Sequence, residues 1–142
     1  MDASTDATRR ERIDALAALA GRSVDAAARP QVEAFARSWA AHLDADDLAA
    51  RSTEDLLGAV LSCWQFGAER QPGTVRLRVL SPTLADSGWS TRHTVLQVIN
   101  DDMPFLVDTT TMEVHRQGLT LHLIVHPVLV AQRDAQGRLL SL

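Results

Sequence analysis

Lysine is absent from this 142-residue chain, and all 14 basic residues are arginine. Chemistry that needs an amine of adjustable pKa, such as Schiff-base formation or lysine-dependent amino-acid dehydrogenation, is thereby excluded for it. Tyrosine is also absent and aromatics amount to 4% of residues, so the core has to be built from Leu, Val and Ala. A lone cysteine, Cys63, rules out an internal disulfide. It lies in an apolar helical run, where a structural thiol is expected. No stretch approaches the ~18 apolar residues of a membrane span, and MDASTDATRR lacks the apolar segment of a signal peptide. A cytoplasmic protein away from any membrane is the expectation. The seven glycines never cluster, so neither a phosphate loop nor a Gly-x-Gly-x-x-Gly turn is present. No Gly-x-Ser-x-Gly elbow occurs.

What remains is ordinary for a globular chain with one core: 46% hydrophobic, 23% charged, net charge −4. A nucleic-acid surface needs clustered positive charge, but here the arginines are scattered among acids. Only Arg76 and Arg78 recur on one face, and a solvated strand face is the expected explanation. No nucleic-acid partner is expected.

The first half has helical periodicity. Residues 1–8 are small and polar and expected to fray. Ile13, Leu16, Ala17 and Ala20 fall at helical spacing over 9–20, with Gly21 as a stop. Pro30 suits the first turn of a helix over 30–43 with a Val32, Phe35, Ala36, Trp39 stripe. Asp44 is placed to cap a short turn at 46–50. Ser52 followed by Asp55 resembles a capping box opening a helix over 53–70, which Gln71-Pro72-Gly73 ends.

The texture then changes to period 2. Val75, Leu77 and Val79 alternate with Arg76 and Arg78, as in a half-exposed strand. A loop from Ser81 to Arg92 leads to a strand over 93–100. Pro104 fits the first position of a helix over 104–117, with Asp101 and Asp102 at its positive end. Met103, Leu106, Val107, Thr110 and Val114 are expected to share one buried face, and Gly118 suits the stop. Residues 119–130 read as a long strand whose odd positions lie under that helix. The 133–137 turn leads to a hairpin partner from Arg138.

Five histidines raise the question of a metal. On a strand His122 and His126 stand about 13 Å apart, whereas ligands of one ion lie about 2 Å from it. No metal site is expected. The turn from Asn100 through Asp101, Asp102, Met103, Pro104 and Phe105 to Leu106 is the one candidate site. A strand feeding a helix leaves free backbone N–H groups converging on a small volume. Two readings stay open: the acids simply cap the helix, or the turn holds the carboxylate and amine of a free amino acid.

The words NDDMPFLVDTTTMEVHRQGLTLHLIVHPVL, with DLAARSTEDLLGAVLSCWQF and VRLRVLSPTLADSGWSTRHTVLQVIN upstream, resemble the N-terminal region of the large bacterial NAD-specific glutamate dehydrogenase family over 30–142. The resemblance implies an ACT-like (ferredoxin-like) α+β fold: N-terminal helices, 1–73, then a partial antiparallel sheet with one packed helix, 74–142, cut short at its C-terminal end. It also implies a parent enzyme that uses NAD to oxidise L-glutamate to 2-oxoglutarate and ammonia. The fragment itself would carry no catalytic residue and no cofactor, the catalytic Lys and Asp residues and nucleotide segment lying elsewhere. Implied partners are the rest of the subunit, further copies of it and a free amino-acid effector at 100–106. The alternative is an interaction module without a small-molecule ligand. In one respect the chain departs from amino-acid-binding ACT domains: Phe105 stands where they carry glycine. A ring there is expected to fill the ligand's space and to favour an architectural role.

Overall fold

The computed structural model describes residues 3–142, with side chains from Asp6 onward. Helix α1 (Ala3–Arg22) already includes most of the stretch expected to fray; residues 1 and 2 lie outside the described residues. It packs with α2 (Arg29–Ala40), the short α3 (Ala45–Ala49) and α4 (Thr53–Gly67). The expected caps are in place. The Asp44 carboxylate accepts the Asp47 N–H at 2.7 Å and the Ser52 hydroxyl accepts the Asp55 N–H at 3.1 Å. Leu16, Val32, Leu43, Leu48 and Val60 are fully buried between these helices. Phe35 and Trp64 meet with ring centroids 5.7 Å apart.

After α4 the chain forms β1 (Arg76–Leu80), the single turn α5 (Leu84–Ser87), β2 (Val95–Ile99), α6 (Leu106–Arg116), β3 (Gln132–Arg133) and β4 (Leu139–Ser141). β1 and β2 are antiparallel with Leu77 opposite Val98 and Val79 opposite Leu96; β3 and β4 form a second antiparallel pair. The architecture is α+β, helices first and small antiparallel sheets after, consistent with a partial ACT-like fold. Trp89, in the loop between β1 and β2, is buried over Gly58 of α4.

Four expectations are corrected. First, β1 is turned over. Arg76 and Arg78 face inward and are half-buried, while Leu77 and Val79 stand 61% and 64% exposed. Both guanidiniums lie over the Phe66 ring, at 4.7 and 4.5 Å from its centroid, where a flat, weakly hydrated cation is favourable. Second, residues 119–130 form no ladder, and among the described residues no backbone–backbone bond involves 120–131. The alternation persists: Leu121, Leu123 and Val125 are half-buried, His122, Ile124 and His126 exposed. Leu123 and Val125 pack against the cluster formed by the N-terminal helices, so a helical surface takes the odd face. Third, α6 starts at Leu106, and Pro104 precedes its N-cap instead of opening the helix. Fourth, no residue of α6 is buried; Leu106, Val107, Thr110 and Val114 are half-covered and Met103 is exposed.

The sheet is fastened to α4 by its side chains. The Arg78 Nε donates to Gln97 Oε1 at 2.6 Å, and its Nη2 donates to the Ser62 carbonyl and hydroxyl at 3.0 and 2.9 Å. The Gln97 amide donates to Ser62 Oγ at 3.3 Å and Cys63 Sγ at 3.1 Å. Both Gln97 and Ser62 are buried, so every member of this network needs its partners. Burial pushes the Cys63 thiol up from its ordinary pKa, against smaller downward effects from Trp39, Gln97 and Arg78. Burial thus favours the thiol over the thiolate, as suits a packing group.

Candidate functional site

The Asn100–Leu106 turn joins the last residue of β2 to the first of α6. Its backbone is set by Phe105, which has φ 65° and ψ 14° and is the N-cap of α6. Among the described residues it is the one non-glycine with positive φ, a conformation that L side chains rarely adopt. The first backbone bond into the helix is Thr109 N–H to the Phe105 carbonyl, 2.8 Å, and no side chain caps the N-terminus. The N–H groups of the first turn therefore have no intrahelical acceptor.

Neither acid caps the helix. Asp101 instead forms an ion pair with Arg70, just past the end of α4. Asp102 is exposed, as are Met103 and Pro104. The Asn100 amide sits 3.5 Å from Met103 Sδ. Phe105 is 74% exposed as a residue and is not packed into the turn.

Arg70 was not legible as part of this site. It lies 31 positions from Asp101, and a lone arginine before Gln71-Pro72-Gly73 carries no pairing signal. Its side chain is only 10% exposed, with Nε donating to the Thr74 carbonyl at 2.7 Å. The turn is thus held to the end of α4 through one charge-assisted contact.

His93 and His122 stack with ring centroids 4.3 Å apart, linking the entrance of β2 to the extended 119–130 segment. Among the described residues no group of three or more His, Cys, Asp or Glu side chains converges as metal ligands. No described helix is long and apolar enough to cross a membrane.

The family model described as glutamate dehydrogenase, ACT1 domain, matches residues 35–142. The chain belongs to that family. An NAD-specific glutamate dehydrogenase of Halomonas elongata is 41% identical over 109 residues, covering 77% of this chain and 7% of the relative. The NAD-specific glutamate dehydrogenase of Pseudomonas aeruginosa is 36% identical over 112 residues, covering 79% of this chain and 7% of the relative. The chain thus spans about 7% of the length of the curated relatives it matches. No solved structure matches it. Within the ACT1 region the matched residues include the whole of the sheet, the 100–106 turn and α6.

Proposed function

We propose that this ACT1 chain is a regulatory and assembly domain of an NAD-dependent glutamate dehydrogenase. Its parent subunit oxidises L-glutamate to 2-oxoglutarate and ammonia in the cytoplasm. The domain itself contributes no catalytic group and holds no NAD. Residues 1–73 form its helical part and 74–142 its ACT-like part, and its partners are the rest of the subunit and further copies.

One observation carries the assembly reading. Leu77 and Val79 of β1 stand exposed directly opposite Val98 and Leu96 of β2, which are 40% and 39% exposed. Scattered apolar residues need no explanation, but a contiguous apolar sheet face marks an interaction surface. In sedimentation velocity over a concentration series, the wild-type chain is expected to self-associate. Leu77→Glu is expected to stay monomeric with unchanged circular dichroism. A wild-type monomer at every concentration would overturn self-assembly through this face.

A second reading, amino-acid sensing at Asn100, Asp101, Asp102, Met103, Pro104, Phe105 and Leu106, is favoured by the uncapped N-terminus of α6. Free N–H groups and a helix dipole suit a carboxylate, and the neighbouring acids suit an ammonium. The test is a panel of free amino acids read by melting temperature. At 100 times its dissociation constant a ligand adds about 2.7 kcal/mol of stability. No shift for any amino acid would leave a ligand-free interaction module. The purified chain is expected not to reduce NAD with glutamate present.

A further inference from the structure

We infer that the cleft between the end of α4, the start of β1 and the 134–138 turn binds a small oxyanion, the carboxylate or phosphate group of a small molecule. The cleft is distinct from the first-turn N–H groups of α6 and does not depend on amino-acid sensing there. It measures about 250 Å³ and is lined by Glu69, Arg70, Gln71, Thr74, Arg76 and Gln136. That is below the ~300 Å³ at which drug-sized pockets begin, a size for a compact anion rather than a nucleotide.

Two guanidiniums in its wall have donors to spare. Arg70, nine-tenths buried, uses Nε on the Thr74 carbonyl and Nη2 on Asp101. Its Nη1 has no protein partner among the described residues. Arg76 spends Nη1 on the Phe66 carbonyl at 2.9 Å and on the Glu69 carbonyl, which leaves Nε and Nη2. A third guanidinium, Arg133, bonds the Gly67 carbonyl at 2.9 Å. Its pKa is lowered by burial first and then by the charges of Arg70 and Arg76, so three cations crowd one region. Neither Arg76 nor Arg133 has a carboxylate within ion-pair distance among the described residues. The facing acids are Glu69 and Asp101. The negative end of α4 is already covered, because its carbonyls accept from Arg76 and Arg133.

The rim groups hold the shape. The Gln71 amide donates to the Gln136 carbonyl at 2.6 Å, and the Thr74 hydroxyl donates to the Gln71 carbonyl at 2.7 Å. Recognition is left to the guanidinium forks, which match planar oxyanions. Asp101 shows the chemistry from within: its carboxylate, 63% exposed, sits on Arg70 as an internal occupant that solvent and ligands can reach. An incoming oxyanion that takes Arg70 releases Asp101, and with it the start of the 100–106 turn.

The test is an amide NMR titration of the 142-residue chain with inorganic phosphate, succinate and acetate at matched ionic strength. None of these carries an ammonium, so the outcome is independent of the amino-acid panel. Saturable shifts are expected at Arg70, Gln71, Thr74 and Gln136, and the tighter binder names phosphate or carboxylate as the source. Asp101→Asn, which removes the competing carboxylate, is expected to tighten binding by up to about fivefold. Arg76→Gln is expected to weaken it by about tenfold or more. Because Arg76 also bonds the end of α4, Gln136→Glu, at an exposed rim position, provides a second variant that weakens binding without touching the helix. Shifts that never saturate, or affinities unchanged in both Arg76→Gln and Gln136→Glu, would overturn the site.

Discussion

Arg9, Arg12, Arg29, Arg51, Arg70, Arg76, Arg78 and Arg133 each donate to backbone carbonyls. The planar fork lets one side chain serve two acceptors, as Arg9 does with Ala41 and Leu43. A chain without lysine therefore closes many of its helix ends and loops with guanidiniums. Small residues matter at the opposite extreme. Gly58 lies inside α4, where alanine would add up to about 1 kcal/mol of helix propensity. A Cβ there would overlap Cβ and Cγ of Trp89, which is buried. Those atoms are close to the Trp89 backbone and cannot swing aside, so overpacking wins. Gly58→Ala is expected to destabilise the chain by about 1–3 kcal/mol, read as a lower urea midpoint with an unchanged slope.

At the scale of elements, the 120–131 segment is the informative case. Its alternation resembles a strand, yet its backbone has no partner among the described residues. Hydrogen exchange is expected to be fast throughout 120–131 while Arg78 and Gln97, inside the β1–β2 ladder, are protected. Protection of 120–131 equal to that of β2 would show a ladder and sink this reading. The 134–138 turn has a pH dependence of definite sign. The Asp134 carboxylate accepts the Arg138 N–H, the Gln136 N–H and Arg138 Nε, each at 2.9 Å. Chiefly through the Arg138 N–H, and despite an opposing desolvation effect, its folded pKa lies below the ordinary value. The stabilisation is thus present above the unfolded carboxylate pKa and is lost as pH falls through the folded one. The Gln136 and Arg138 amide resonances are expected to collapse toward random-coil positions only in that acid window, and Asp134→Asn is expected to show the collapsed pattern already at neutral pH. The same elements show what sequence reasoning reaches. Caps at Asp44 and Ser52 were legible because the accepting side chain and the backbone N–H that donates to it lie three residues apart. Period 2 identified β1 and the 119–130 alternation, but alternation reports two faces without saying which is inward or whether a neighbour pairs. At β1 the arginines went inward because Phe66 and the carbonyls of α4 await them. The candidate turn was legible from its acids and proline. Its anchor, Arg70, was not, since nothing local connects it to Asp101.

At the scale of the whole chain, the change of texture near residue 73 marks a change of secondary structure across which many interactions run. Arg76, Arg78 and Arg133 bond carbonyls of α4, the Leu139 N–H bonds the Ala68 carbonyl at 2.8 Å, and Gln31 reaches the Leu140 carbonyl at 3.2 Å. Leu123 and Val125 add apolar contact with the helical cluster. Removing the α+β part would expose Phe66 and strand the buried Ser62–Gln97 network, while removing the helices would leave two small two-stranded sheets, which are marginal alone. A single unfolding transition is therefore expected. The three tryptophans make it measurable, because Trp39 and Trp64 lie in the helical part and Trp89 lies between the strands. Single-tryptophan variants that retain only Trp64 or only Trp89 should give the same urea midpoint by fluorescence, coincident with loss of helical circular dichroism. Loss of the Trp89 signal at distinctly lower urea, with the helices still folded, would show that 74–142 unfolds as its own unit. The contacts between Arg78, Gln97 and Ser62 would then be too weak to couple the two parts.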